Sequence, residues 1–367
     1  MKRINVSVSN DLICDNRVNK TCKSLVDYGL EVKLIGRAFK HSPLLPYRSY
    51  KCTILPIIFK KNAIYYAELN LKLFFYLLFS KQDYLWANDL DTLLPNYLVA
   101  KLKRKPLIFD SHEHFTQVPE LKYNPFAQKV WKWVEKHCIK GCDAVFTVCN
   151  PIKDYFKEEY KKESLVVRNI PPRNTTTNIQ IPSANKENII VWQGAVNIER
   201  GLEELCEAMQ WINAKLLIMG EGDIKSNLEK KVKELRLEEK IHFLGRLPFE
   251  EMMSKTKTAK LAISIDKATN GNYAISLPNK IFEYIACYVP VLVSPLQEIK
   301  YVVEKYKTGV FLSSYSPQDL AKQITSLLSD NEKLDSIAKN CEKAASELCW
   351  ENEQTQIFET LNQLKNK

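Results

Sequence analysis

The residues best suited to chemistry sit in loops that follow short apolar runs. Lys280 and Glu283 lie in Ser276-Leu-Pro-Asn-Lys-Ile-Phe-Glu283. Pro278 suits a helix start, where its missing N–H costs nothing. Lys280 then falls in the first turn, where the helix dipole disfavours a cation unless an anion is bound. A cation with a carboxylate three residues on suits a phosphate beside a sugar diol. The alternative is a Lys280–Glu283 surface pair. Arg200 closes the loop from Gly194 to Gly201, between a strand and a helix. Gly194 permits a tight turn, the helix start offers N–H groups to an anion, and Arg200 adds a planar cationic fork. The loop is neither GxGxxG nor a Walker P-loop, and a plain surface arginine is the competing reading. Gly220-Glu-Gly222 ends another strand, so either a ligand or a neighbouring loop passes close, or the glycines only make a turn. His112, in Asp110-Ser-His-Glu-His-Phe115, follows a strand and so faces a ligand edge. His112-Glu-His114 is not HExxH, which argues against zinc hydrolysis. Asp89-Leu-Asp91 formally matches a metal-binding DxD pair. The preferred reading is that Asp89 or Asp91 caps the following helix or touches a substrate.

These loops need a framework, and the sequence supplies two. Near-continuous apolar runs at Ile4–Val8, Val32–Ile35, Thr53–Leu55, Tyr84–Ala87, Leu107–Phe109, Ala144–Val148 and Leu165–Val167 predict strands buried on both faces. A helix between the first two has Val18, Cys22, Leu25 and Val26 on one side, Asp15 as N-cap and Gly29 at its end. Periodicity lapses over Arg168–Asn188, which holds Pro171, Pro172, Pro182 and the polar run Asn174–Asn178. Strands then resume at Ile189–Trp192, Lys215–Met219, Ile241–Leu244, Leu261–Ile265, Val291–Val293 and Val310–Leu312, with helices at Gly201–Met209 and Asn227–Leu235. The expectation is an α/β protein of two Rossmann-like, doubly wound domains facing a central cleft. The predicted division is a domain over 1–170, a linker over 171–188, a second domain over 189–345 and a terminal segment over 346–367 whose helix, Glu351–Leu364, returns to the first domain.

Composition agrees with an ordinary globular protein. The chain has 367 residues, 45% hydrophobic and 26% charged, which excludes disorder or a coiled-coil array as the main architecture. The longest apolar stretch, Leu73–Phe79, is far short of the roughly 20 residues of a membrane span. The N-terminus lacks an apolar signal region, so a cytoplasmic protein with reduced thiols is expected. Its ten cysteines form no CxxC pair, and no metal site is expected. The net charge of +10 is uneven: residues 1–180 carry 29 basic and 17 acidic residues, a balance of +12. Lys101-Leu-Lys-Arg-Lys105, with aromatic residues at Phe74–Phe79, Trp131 and Trp133, suits an anionic membrane surface. The alternative is solvated lysines over core aromatics. No nucleic-acid motif accompanies the charge.

In order and spacing, Gly194…Arg200-Gly201, Gly220-Glu-Gly-Asp223, Phe243-Leu-Gly-Arg-Leu-Pro248 and Leu277-Pro-Asn-Lys280…Glu283 resemble the donor domain of retaining GT-B glycosyltransferases, family 4. Asp15-Asn-Arg-Val18, Asn88-Asp-Leu-Asp-Thr92 and Asp110–Phe115 resemble the acceptor domain of the same family. The resemblance implies a sugar donor activated as a nucleoside diphosphate, used as co-substrate with no further cofactor and no metal. Arg200 and Lys280 would hold the diphosphate, with Gly194, Gly220 and Gly222 in its loops. Glu283 would bind the ribose, and Arg246 lies in the segment near the base. Backbone N–H groups of Ser276, Leu277 and Asn279 would cap the phosphates. His112 would position donor and acceptor beside the anomeric carbon. Arg17, Asp89, Asp91, Asp110 and His114 would lie on the acceptor side. The implied activity is transfer, with retention, to a glycan or lipid-linked acceptor in surface polysaccharide synthesis, at the inner membrane face. A nucleotide-sugar 2-epimerase and a non-catalytic donor-binding assembly subunit are the alternatives. The family often has a glutamate where Ile275 stands, an arginine where Ala195 stands, a glycine near Tyr288 and Val289, and paired glycines within Ser9–Asn16. DxD marks the metal site of the other glycosyltransferase fold, in which one domain would have to hold both substrates.

Overall fold

The computed structural model describes residues 1–40, 42–59, 62–118, 121, 124–173, 181–268, 274–275 and 277–365. It divides into two compact units: Met1–Asn169 with Glu353–Lys367, and Ile170–Asn352.

The first unit is built on β1 (Arg3–Asp11), β2 (Glu31–Arg37), β3 (Lys51–Ile54), β4 (Tyr84–Asn88), β5 (Leu107–Ser111), β6 (Ala144–Thr147) and β7 (Leu165–Val166). The strands run parallel in the order β3-β2-β1-β4-β5-β6-β7. Each of the seven expected strands is present. Central β4 and β5 are buried at every residue, which explains their unbroken apolar sequences. Edge strand β3 is partly exposed. Strand β1 runs on past Val8 through the polar Ser9-Asn-Asp11, with a register shift against β2 between Ser7 and Asp11.

Helix α1 (Asn16–Asp27) starts where Asp15 accepts a hydrogen bond from the Val18 N–H at 3.0 Å. Helix α2 (Asn62–Phe79) buries Tyr65, Leu69, Leu73 and Leu77, a stripe of period four. The same helix leaves Leu71, Phe75 and Phe79 exposed. Helix α3 (Leu90–Lys103) follows β4, and α4 (Pro125–Cys138) and α5 (Asn150–Tyr160) complete the layer sequence.

The second unit repeats the design with β8 (Ile189–Gln193), β9 (Lys215–Met219), β10 (Ile241–Gly245), β11 (Leu261–Ser264), β12 (Val291–Val293) and β13 (Gly309–Phe311). Its sheet is parallel, in the order β10-β9-β8-β11-β12-β13. Alternate residues serve two cores. Ile190 and Trp192 join one with Leu216 and Ile218, while Val191 joins the other with Ala262, Val291 and Val293. The two-residue period of a strand thus divides apolar side chains between its faces. The helices are α6 (Leu202–Ala208), α7 (Lys225–Glu234), α8 (Phe249–Thr258), α9 (Asn279–Ala286), α10 (Gln297–Tyr306), α11 (Pro317–Ser329) and α12 (Asn331–Glu347).

Helix α13 (Trp350–Lys365) begins in the residue range of the second unit and ends in that of the first. Within the first unit, Glu353 accepts from the Arg168 backbone N–H at 2.7 Å and its guanidinium at 3.0 Å. Phe358 stacks on Tyr28, and Gln356 donates to the Val166 carbonyl. Among the described residues, no helix is long and apolar enough to cross a membrane, and no cluster of three or more His, Cys, Asp or Glu could hold a metal ion.

Candidate functional site

In parallel sheets, loops after the strands gather at one edge. At that edge of the first unit, β4 ends in Asn88-Asp89 and β5 in Asp110-Ser111, and His112 comes next. Its Nδ1 lies 3.1 Å from Asp89 Oδ2 and its Nε2 3.2 Å from Asp110 Oδ2. The His112 backbone N–H also donates to Asp89 Oδ1 at 2.8 Å. Burial opposes a charge on this ring, but Asp89 and then Asp110 outweigh it and raise its pKa to about 10. Both ring nitrogens face carboxylates, an arrangement that favours the protonated ring.

Asp110 is shared. Arg17 of α1 grips it with Nη2 at 2.6 Å and Nε at 3.2 Å, while Nη1 donates to the Val167 carbonyl at 2.8 Å. Burial pushes the Asp110 carboxyl up, yet Arg17 and His112 hold it well below the ordinary range. Arg17 and Asp110 are almost fully buried. Arg17 and Asp110, both expected on the acceptor side, thus bond each other, and Asp110 also contacts His112.

Asp89 stands at the N-cap of α3, but its side chain makes no capping bond. The expected cap is corrected, because the carboxylate is committed to His112. Asp89 has φ +58, ψ +165, a left-handed backbone that costs a non-glycine residue on the order of 1–3 kcal/mol. Asp91, in the first turn of α3, is buried, with Oδ1 lacking a hydrogen-bond partner. Burial, then the charge of Asp89, push its pKa up to about 7. His114 stacks on Tyr155 at 4.1 Å, and burial, then Lys132, lower its pKa to about 4, so it is neutral.

In the second unit the candidate donor residues converge. Lys280 is at the start of α9 but is not on the surface, and its partner is not Glu283. It is buried, with Nζ 3.3 Å from Asp266 Oδ1 and 4.7 Å above the Trp192 ring. Arg200 Nη1 lies 3.3 Å from Asp266 Oδ2. Burial lowers the Lys280 pKa while Asp266 opposes the shift. The anion that tolerates a cation in this first turn is thus a side chain of the protein itself. Glu283, one turn on, accepts a hydrogen bond from Gln193 Nε2. Gln193 in turn accepts from Thr256 at 2.9 Å, and its backbone N–H donates to Tyr284 Oη at 3.1 Å.

The glycines answer to packing. A Cβ on Gly220 would lie 1.8 Å from the Gly194 carbonyl oxygen, and one on Gly222 2.3 Å from that of Val196. What passes close to Gly220 and Gly222 is the neighbouring loop. The anion seat expected at the helix after Gly201 falls on α6. Helix α6 is short, and Glu203 and Glu204 occupy its first turn, the latter paired with Lys267 at 2.5 Å. Asn279 and Arg246 are exposed, Leu277 packs partly against the core, and Ser276 lies outside the described residues.

Asp266 and Gln193 were not singled out from the sequence. Asp266 follows the expected strand Leu261–Ile265, so the post-strand rule that selects His112 would also select it. Gln193 directly follows the expected strand Ile189–Trp192.

Two family models divide the chain. "Glycosyltransferase Family 4" matches residues 16–171, and "Glycosyl transferases group 1" matches residues 174–344. The alpha-D-kanosaminyltransferase of Streptomyces kanamyceticus is 20% identical over 66% of this chain and 67% of that protein. Other curated glycosyltransferases are matched over 58% and 42% of their own lengths. The solved sucrose-phosphate synthase of Thermosynechococcus elongatus superimposes with a TM-score of 0.78 at 17% identity, over 100% of both chains. HepE of Anabaena, solved with UDP-glucose, gives 0.75 at 17% identity, over 99% of this chain and 100% of that one. With the two glycosyltransferase models matched in succession along two α/β units, each built on a parallel sheet, the chain belongs to the group 1 glycosyltransferases of family 4, which have the GT-B fold.

Proposed function

We propose that this protein transfers a sugar from a nucleoside diphosphate to a hydroxyl acceptor, with retention at the anomeric carbon and without a metal ion. One observation carries the reading: Arg200, from the loop before α6, and Lys280, from the first turn of α9, meet at Asp266, with Glu283 one helical turn beyond Lys280. Two cations there can hold a diphosphate, and Glu283 is placed for ribose hydroxyls. They would supply the charge that a divalent ion otherwise lends to the leaving group. In the transfer, the acceptor oxygen bonds to the anomeric carbon, the bond to the diphosphate oxygen breaks, and the hydroxyl proton leaves with the diphosphate. His112, flanked by the Asp89 and Asp110 carboxylates, orients the reacting groups. Retention rests on the family resemblance.

The proposed acceptor is glycan or lipid-linked and met at an anionic membrane face, for surface polysaccharide synthesis. Exposed Leu71, Phe75 and Phe79 of α2 border a cavity of about 850 Å³ that also has Arg3, Lys33 and Lys81 on its wall. Apolar side chains with a surplus of cations beside them, Glu31 also lining the wall, fit acidic lipid. The run Lys101–Lys105 contributes less, because Lys103 bonds the Leu77 and Ser80 carbonyls.

The test is thermal stabilisation by a panel of nucleoside diphosphates, beginning with UDP, with and without EDTA. One nucleotide should raise Tm regardless of EDTA, and Lys280→Ala should abolish the rise. Transfer of labelled sugar from the matching donor, with no turnover of donor alone, separates a transferase from an epimerase. A shift that requires metal, or one that survives Lys280→Ala, would overturn this donor site.

A further inference from the structure

We infer that Asp266 is an internal competitor for the diphosphate: it holds Arg200 and Lys280 in place when the site is empty and weakens their grip on the nucleoside diphosphate product. The inference rests on the donor-site reading above and adds a residue that reading does not contain.

Asp266 is fully buried, two residues beyond the end of β11, and its two oxygens face two different cations. Lys280 is nearly as buried, under the Trp192 ring. Without the carboxylate, the buried Lys280 would lose its ion-pair partner while the like charge of Arg200 stayed nearby, at a cost in desolvation. The empty site therefore needs Asp266. Both contacts are 3.3 Å, longer than the roughly 2.7–2.9 Å of a strong charge-assisted hydrogen bond. The Asp266 Oδ2 contact with Arg200 also lacks hydrogen-bond alignment. This is attraction without saturation. A diphosphate carries more charge than one carboxylate and can take over both cations, while the buried Asp266 stays behind as a like-charged neighbour of the bound phosphates. Such a neighbour weakens anion binding. The nucleoside diphosphate product, once relieved of its sugar, would thus be released more readily.

The experiment compares the full-length wild type with Asp266→Asn, measuring Tm and the Kd for UDP, GDP, ADP, inorganic pyrophosphate and uridine. Asp266→Asn should melt lower without ligand. It should bind pyrophosphate and the preferred nucleoside diphosphate more tightly, on the order of tenfold, as expected on removing one nearby like charge. Uridine, which has no phosphate, should be unaffected. A purely structural role for Asp266 would lower Tm and weaken or leave unchanged the binding of every ligand, and that outcome overturns the inference. If Asp266→Asn does not fold, Asp266→Ser, which is uncharged and leaves room for a water between the cations, takes its place. It should bind pyrophosphate more tightly than the wild type, and equal affinities overturn the inference. If the wild type binds neither pyrophosphate nor any nucleoside diphosphate, the donor-site reading itself fails. If the wild type binds and loss of the carboxylate does not tighten binding, only the role of Asp266 is lost.

Discussion

Each unit places one buried aspartate between two cations, and the two arrangements differ in how completely they are satisfied. In the first, Asp110 takes a two-pronged grip from Arg17, with a closest contact of 2.6 Å, and a further contact from His112. Arg17 spends its remaining prong on the Val167 carbonyl. In the second, Asp266 meets one atom each of Arg200 and Lys280, both at 3.3 Å, and Arg200 is partly open to solvent. A buried charge is tolerable only when its partners repay its desolvation. The first cluster repays it internally and so acts as a fixed frame. The second is held by longer contacts, each through one atom of the cation.

The largest expected effect tests the frame. Asp110→Ala leaves Arg17 and His112 buried without their shared carboxylate. It should lose about 3–5 kcal/mol of stability in urea denaturation, or fail to fold. Asp266→Ala should lose less, since Arg200 can turn toward water. Equal losses would erase the distinction between the clusters.

His112→Gln should come next. The imidazolium gains its partners only on folding, so its pKa rises from 6.5 to about 10. Its stabilising contribution is complete below about pH 6.5, falls as pH climbs, and is gone above about pH 10. The full contribution is on the order of 3–5 kcal/mol. Denaturation midpoints at pH 6 and pH 10 should thus differ less for His112→Gln than for the wild type. If the two proteins share one pH profile, the ring is not held as a cation.

The sheets were legible in the sequence because both faces of each strand are covered. Burial on both sides forces unbroken apolar runs, and runs such as Tyr84–Ala87 and Lys215–Met219 mark their strands to within a residue. The polar tail of β1, Ser9–Asp11, was not legible, since pairing with β2 carries it beyond the apolar stretch. Leu73–Phe79 reads as a uniform apolar run, yet α2 turns Leu73 and Leu77 inward and Phe75 and Phe79 outward. Candidate site residues could be found by their place after strands, but not their partners. Lys280 reads equally as a phosphate ligand or as a partner of Glu283, because no local spacing discloses Asp266 on another loop. Likewise Arg17 and Asp110 read as ligands in sequence, and only the fold shows that they consume each other.

Asp91 gives the smallest and most discriminating effect, because it is the buried acid of the first cluster that the frame does not satisfy. Its Oδ1 has no hydrogen-bond partner, and burial next to the Asp89 charge pushes its pKa up to about 7 from the ordinary 3.8. The folded protein therefore keeps a proton that the unfolded chain releases. The resulting penalty is absent below about pH 4, grows as pH rises through 7, and is complete above that. Asp91→Asn resembles the protonated acid and cannot ionise. It should match the wild type near pH 4 and be more stable at pH 8, by about 1–3 kcal/mol after allowance for relaxation of the site. Its pH dependence is independent of that of His112→Gln only in part, since Asp89 borders both groups. A gain at pH 8 would show that the frame stops at Asp89, Asp110, Arg17 and His112, with Asp91 retained at a cost in stability. Equal stability at pH 8 would mean that Asp91 is ionised and satisfied in solution, and so belongs to the saturated frame after all.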